Sequence, residues 1–225
     1  MSTLDVQRYP SRAALDGVLE RRLEAALAAP APRAVMLAGG TTPLPAYRAL
    51  GRRAAPLAEG LKILFSDDRY VPSEDTASNY HQSRALLDGL RLPPAAILRV
   101  RTELPLQQAA ADYEQQLASL LESGTPIVFG LLGLGADGHT ASLFSGADLE
   151  QARSRLAIAV QRPDGMAGVS VTPRLLEQVQ EIVFVVAGPG KERALGALMA
   201  GDARLTAWRA VQGCPRVALW LAEGA

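Results

Sequence analysis

The residue best placed to do chemistry is a histidine in a glycine-rich run. His139 stands in residues 131–144, LLGLGADGHTASLF, directly behind an apolar stretch. An imidazole can take and return a proton near neutral pH, so His139 reads as a general base. The position also suits a structural histidine that bonds backbone. The only other histidine, His81, follows Asn79 in an expected helix and reads as a surface or capping residue. The run also spells G-x-G-x-x-G through Gly133, Gly135 and Gly138. A dinucleotide fingerprint needs a long helix after it and an acid about 20 residues on. Ser145-Gly146 interrupts too early and Asp164 comes too late, so a nicotinamide cofactor is not expected.

Three more segments carry polar groups behind apolar runs. In Gly39-Gly40-Thr41-Thr42 the glycines let backbone N–H groups approach an anion, the threonines add hydroxyls, and the helix opened by Pro43 offers its positive end. The segment reads as a phosphate loop or as a plain glycine turn with a helix cap. In Ser66-Asp67-Asp68-Arg69-Tyr70 two carboxylates adjoin an arginine. An exposed salt-linked loop is one reading. In the other, Arg69 holds a phosphate or carboxylate and an aspartate positions a water, a hydroxyl or a histidine. In Gly188-Pro189-Gly190-Lys191 a cation opens a helix against the dipole, which suggests a bound anion beside the alternative of a solvated lysine.

Elements that could present these segments follow from the pattern. Apolar runs at 34–38, 61–65, 97–100, 127–134, 156–160, 182–187 and 216–221 read as buried strands. Helices are expected from Ser11 to Leu27, after Pro43, around Leu86, from Pro105 to Leu121, and over 191–199. Residues 66–79 read as a polar connection. Strands that are continuously apolar and alternate with helices predict an α/β sandwich on a mostly parallel sheet covered on both faces, as one domain over 1–225. In such a sheet the loops behind the strands meet at one edge, where ligands bind.

Composition narrows the function classes. The 225 residues carry 23 Lys+Arg against 23 Asp+Glu, so no global basic excess points to nucleic acid or an anionic membrane. One cysteine, Cys214, leaves neither a disulfide nor a thiolate cluster. No P-loop, H-E-x-x-H or G-x-S-x-G motif occurs, so no metal or cofactor is expected. The first five residues lack a basic flank and an apolar core, and no apolar run reaches about 18 residues. A cytoplasmic protein without a membrane span is expected.

Taken together, LAGGTTPLPAYRAL (37–50), FSDDRYVP with SNY (65–72, 78–80), LLGLGADGHTASLFSG (131–146) and GPGK (188–191) resemble the 6-phosphogluconolactonase family, within the glucosamine-6-phosphate isomerase/deaminase-like superfamily. The resemblance implies a Rossmann-like α/β/α fold with a mostly parallel sheet, and hydrolysis of 6-phospho-D-glucono-1,5-lactone to 6-phosphogluconate, the second step of the oxidative pentose phosphate pathway. It implies His139 as general base, Asp67 assisting, and Arg69, Lys191 and Gly39, Gly40, Thr41 and Thr42 holding the 6-phosphate. N–H groups of the turn at Gly138, Thr140 and Ala141 are candidate oxyanion donors. The partner is a small sugar-phosphate lactone, and the chain is expected to act as a monomer or weak homodimer. The sequence departs from the family in three places. Asp68 stands where glutamate is usual, the strand R-I-[ST]-[LM]-T-[LP] reads Gly168-Val169-Ser170-Val171-Thr172-Pro173 and lacks its arginine, and Leu205-Thr206-Ala207-Trp208-Arg209 lacks a proline. Rival readings are a glucosamine-6-phosphate deaminase-like enzyme, disfavoured because no acid follows His139 as in G-H-I-A-F-N-E-P, and a non-catalytic sugar-phosphate-binding protein.

Overall fold

Side chains alternate across a strand, so an uninterrupted apolar run is stable only when a layer covers each face. The computed structural model describes residues 4–53 and 59–222. In part, the reading of the amino-terminal residues falls on 1–3, outside that range. The chain begins with β1 (Asp5–Tyr9), α1 (Arg12–Leu27), β2 (Arg33–Leu37), α2 (Leu44–Arg52), β3 (Leu61–Phe65) and β4 (Asp67–Arg69). It continues through α3 (Asn79–Gln82), α4 (Arg84–Leu90), α5 (Leu106–Glu122), β5 (Ile127–Leu132), α6 (Gly146–Gln151), β6 (Ala157–Gln161) and β7 (Ala167–Val171). It closes with α7 (Pro173–Leu176), β8 (Ile182–Val186), α8 (Glu192–Met199), α9 (Thr206–Val211) and β9 (Val217–Ala222).

Six strands form one parallel sheet in the order β1-β9-β8-β5-β2-β3. Parity sorts its side chains into two cores. Val35, Leu37, Val183, Val185 and Trp220 pack with α1, α2 and α4. Their neighbours Ala34, Met36, Ile182, Phe184 and Leu219 pack with α5, α8 and α9. The expected α/β/α layering on a mostly parallel sheet is therefore present. From β2 the chain moves to β3 on one side and later returns to β5 on the other. This reversal opens a crevice at the carboxyl ends of β2 and β5, where the loops at 38–43 and 133–145 meet.

Three corrections concern the strands. A separate three-stranded antiparallel sheet, β4-β7-β6, lies outside the parallel one and includes the strand expected at 156–160. The polar connection expected at 66–79 starts with β4 itself, which pairs with β7 despite its charges. Ile97–Val100 is not a strand, because only an isolated bridge from Ile97 to Ile63 forms beyond β3. Edge strand β1, with the half-exposed sequence DVQRY, was not anticipated.

Two buried tyrosines fix the strand ends from which the crevice loops depart. Tyr47 of α2 donates to the Ala38 carbonyl at 2.8 Å and accepts from the Ala38 N–H at 3.2 Å. Tyr113 of α5 does the same for Phe65, at 2.5 and 3.0 Å. Both rings are fully buried. Each hydroxyl thus satisfies a donor and an acceptor just where the ladder gives way to Gly39 or to Ser66. Tyr47→Phe and Tyr113→Phe each leave those two groups orphaned and are expected to lower stability by about 1–3 kcal/mol in urea unfolding. A cost indistinguishable from zero would show that the hydroxyls are not what fixes these ends.

Candidate active site

The crevice holds a cleft of about 270 Å³, lined by residues 38–43, 131–135, Ser66, Asp67, Arg69, Asn79, His139, Ala141, Arg162, Val185 and Lys191. It collects all four polar segments seen in the sequence. His139, Asp67, Arg69, Lys191, Ala141 and Gly39, Gly40, Thr41 and Thr42 all line it.

His139 is held by a partner two residues before it. Its Nδ1 lies 2.5 Å from Asp137 Oδ1, and its backbone N–H donates to the same oxygen at 3.2 Å. Burial raises the Asp137 carboxyl, but the hydrogen bonds from the ring and backbone of His139 outweigh it and leave the carboxyl below its ordinary value. With Nδ1 engaged, Nε2 is the nitrogen free to serve the cleft. The ring packs on Phe144, centroids 4.4 Å apart. Only glycine fits at 135, because a Cβ there would come within 2.1 Å of His139 Nδ1 and 2.4 Å of Asp137 Oδ1. The loop is tied down elsewhere too. Thr140 Oγ1 donates to the Gly133 carbonyl at 2.8 Å, and Ala207 at the start of α9 donates to the Gly138 carbonyl at 2.9 Å.

Of the three candidate oxyanion donors, Gly138 is otherwise engaged, its N–H donating to Gly135 at 3.0 Å. Ala141 faces the cleft and holds a left-handed φ of 50°. A non-glycine residue in that region stores backbone strain, which clusters at working sites.

Strand alternation separates the two aspartates. In β4, Asp67 and Arg69 share the cleft face and Asp68 points away. Asp67 is buried and draws donors from several elements: Ser66 Oγ at 2.9 Å, Asn79 Nδ2 at 3.2 Å and Ser142 Oγ at 2.6 Å, with Arg162 Nη1 at 3.9 Å. Among the described residues no hydrogen bond joins it to His139, and the hydroxyl it holds across the cleft wall is that of Ser142. Asp68 instead closes the start of α3, accepting from the N–H groups of Asn79 at 2.6 Å and Tyr80 at 3.2 Å and from Ser78 Oγ at 3.1 Å. His81 lies in that short helix, its N–H on Ser78 Oγ, in keeping with a residue outside the site.

Two cations, Arg69 and Lys191, line the same cleft. Arg69 Nη1 donates to the neutral acceptors Ala77 O at 2.8 Å and Asn79 Oδ1 at 2.9 Å, while its buried Nε has no partner. Lys191 is the N-cap of α8, half-buried, with its ammonium pKa lowered by burial. Among the described residues neither makes an ion pair with a carboxylate. The glycine loop lines the cleft with them. Arg12 of α1 pins it from behind through the Thr42 and Thr41 carbonyls at 2.9 and 3.4 Å, and Gly40 N–H donates to Gln82 Oε1 at 3.1 Å. Gly39 packs so tightly on the Asn79 amide that a Cβ would sit 1.8 Å from Oδ1. Such an array of cations, backbone N–H groups and a helix start suits a phosphate. Among the described residues no three His, Cys, Asp or Glu side chains gather as a metal-binding group, and no helix is long and apolar enough to cross a membrane.

Sequence reasoning passed over Asp137, Ser142 and Arg162. Asp137 was inside the quoted motif, and its spacing of two before the histidine matches an aspartate turn that bonds the backbone two residues on. Ser142 and Arg162 carry no such signal, since their roles arise from the pairing of distant strands.

The family model described as glucosamine-6-phosphate isomerases/6-phosphogluconolactonase matches residues 11–219. A 6-phosphogluconolactonase of Synechocystis sp. is 38% identical over 188 residues, covering 81% of this chain and 78% of that protein. The crystal structure of a 6-phosphogluconolactonase from Thermotoga maritima superposes with a TM-score of 0.81 at 25% identity, over 99% of this chain and 100% of that one. A monomeric glucosamine-6-phosphate deaminase shares the fold, with a TM-score of 0.82 at 16% identity over 98% of each chain.

Burial pushes the Asp68 carboxyl up to about 6, against the pull of the Asn79 and Tyr80 N–H groups, with the charge of Asp67 adding to the rise. The folded state therefore binds the proton more tightly than the unfolded chain, and this group's contribution to stability falls as pH climbs from about 4 to 6. Asp68→Asn cannot titrate. The unfolding free energy of wild type relative to this variant should drop across that window and level off above it. A difference that stays flat or rises would contradict the assignment.

Proposed function

The chain belongs to the family of glucosamine-6-phosphate isomerases and 6-phosphogluconolactonases, and from that premise we propose that it hydrolyses 6-phospho-D-glucono-1,5-lactone to 6-phosphogluconate in the pentose phosphate pathway. The observation that carries this reading is one cleft that gathers two different chemistries: a histidine whose Nδ1 is fixed by Asp137, and cations without a carboxylate partner beside a glycine loop.

His139 Nε2 takes a proton from a water as that water adds to the lactone carbonyl. The carbonyl oxygen becomes an oxyanion, for which Ala141 N–H on its strained turn is the favoured donor, with Thr140 beside it. Collapse of the tetrahedral intermediate breaks the bond to the ring oxygen, and the imidazolium returns its proton there. Asp137 holds the ring in one tautomer and stabilises its cationic form, as a third group orients the base in related constellations. Arg69, Lys191 and residues 39–42 hold the 6-phosphate and so position the distant carbonyl. Asp67 acts through Ser142 and the surrounding hydrogen bonds, shaping the cleft wall. A charged sugar phosphate suits a cytoplasmic setting.

The test generates the lactone in situ with glucose-6-phosphate dehydrogenase and follows 6-phosphogluconate through its own dehydrogenase, with the spontaneous opening subtracted. Wild type should accelerate the reaction, His139→Ala should lower kcat roughly 10²–10⁴-fold, and Lys191→Ala should mainly raise KM. No acceleration by wild type, together with ammonia release from glucosamine 6-phosphate, would replace this reading with deamination.

A further inference from the structure

The strand that resembles the family's R-I-[ST]-[LM]-T-[LP] has Gly168 where that pattern has arginine. In the antiparallel sheet Gly168 pairs with Arg69 of β4 on one side and Val160 of β6 on the other, so all three share one face. Arg162 follows Val160 by two residues and emerges on that face, in the turn closed by Arg162 N–H on the Met166 carbonyl. Its stem lies directly over the glycine, for a Cβ built on Gly168 would meet Arg162 Cδ at 3.4 Å. The guanidinium is nearly buried and lines the cleft with His139, Arg69 and Lys191.

Its orientation is fixed on three sides. Nη1 donates to Ser142 Oγ at 2.8 Å, Nε and Nη2 donate to Asp164 Oδ2 at 3.2 and 3.1 Å, and the fork stacks on Phe144 at 5.1 Å. A guanidinium has five N–H donors, so the fork keeps hydrogen-bonding capacity beyond these contacts. Burial raises the Asp164 carboxyl, but the hydrogen bonds from Arg162 and the Met166 N–H outweigh it, with the charge of Arg69 the smallest contribution.

We propose that Arg162, reaching across Gly168 from the neighbouring strand, binds the substrate's phosphate together with Arg69 and takes the place of the arginine that strand β7 lacks. The inference rests on the lactonase reading for its substrate, but not for its test. A Cβ at 168 would be crowded first by the Asp68 carbonyl oxygen at 3.0 Å and would only touch the Arg162 stem at 3.4 Å, so the glycine leaves room for that stem beside the β4 backbone.

Thermal stabilisation of the protein by inorganic phosphate reads the anion site without any turnover. Wild type should be stabilised, Arg162→Ala should need about 10- to 100-fold more phosphate for the same shift, and Arg162→Lys, which keeps the charge beside Asp67, should fall between. In turnover, the preference for the phosphorylated over the unphosphorylated glucono-1,5-lactone, taken as the ratio of kcat/KM, should fall by a similar factor in Arg162→Ala. Gly168→Arg added to Arg162→Ala should restore part of both. Equal phosphate dependence in wild type and folded Arg162→Ala, or equal losses on the two lactones, would overturn the proposal. Inactive wild type with a normal phosphate response would overturn the lactonase reading alone.

Discussion

A buried carboxylate has to be compensated, and the way Asp67 is compensated organises this cleft. Removing a charge from water costs several kcal/mol unless hydrogen bonds and opposite charge replace the solvent. Asp67 obtains its donors from β4's own neighbour Ser66, from α3 through Asn79, from the loop behind β5 through Ser142, and at longer range from the β6–β7 turn through Arg162. Four segments far apart in sequence are therefore obliged to meet at one point. Each brings something else with it. Asn79 carries the second acceptor of Arg69, Ser142 anchors the loop of His139, and Arg162 brings its guanidinium to the cleft.

Close backbone approach does the remaining positioning. Gly39 lies against the Asn79 amide and Gly135 against the His139–Asp137 pair, at separations that exclude any Cβ. These glycines are required for proximity rather than for flexibility. They sit on loops whose roots are held by Tyr47 at Ala38 and, for the neighbouring segment, by Tyr113 at Phe65. The loops consequently leave the sheet from fixed points, and the strained turn at Ala141 is over-determined by its surroundings, as sustained strain requires.

The sequence reveals what depends on local pattern and conceals what depends on pairing between distant segments. The strands at 34–38, 127–134, 182–187 and 216–221 are uninterrupted apolar runs and were readable, as was the meeting of their loops at one sheet edge. Asp67-Asp68-Arg69 was not readable as a strand, because its pairing with β7 and burial of its carboxylates outweigh a composition that favours turns. Ile97–Val100 had strand composition but only a single bridge to β3. For the site, loop membership was evident while the division of labour was not. Alternation within β4 sends Asp67 and Asp68 to opposite faces, and only the fold tells which one the cleft receives. The partner of His139 was Asp137, adjacent in the motif, while Asp67 waited at a distance for Ser142.

The absence of net charge sharpens the meaning of the cations in the cleft. With 23 basic and 23 acidic residues the chain exerts no overall attraction on anions, so steering of a phosphate must come from local arrangement. Among the described residues about half of the arginines pair with a carboxylate, such as Arg99 with Glu103 and Arg204 with Asp202. Arg69 and Lys191 do not. Leaving a half-buried ammonium and a partly buried guanidinium uncompensated costs stability in the free protein. The cost is relieved when an anion of matching geometry arrives, which makes the same feature a source of affinity and of selectivity. A neutral lactone would gain nothing from it. On the proposed function, the cleft chooses its substrate by the group that does not react and acts, through His139, on the group that does.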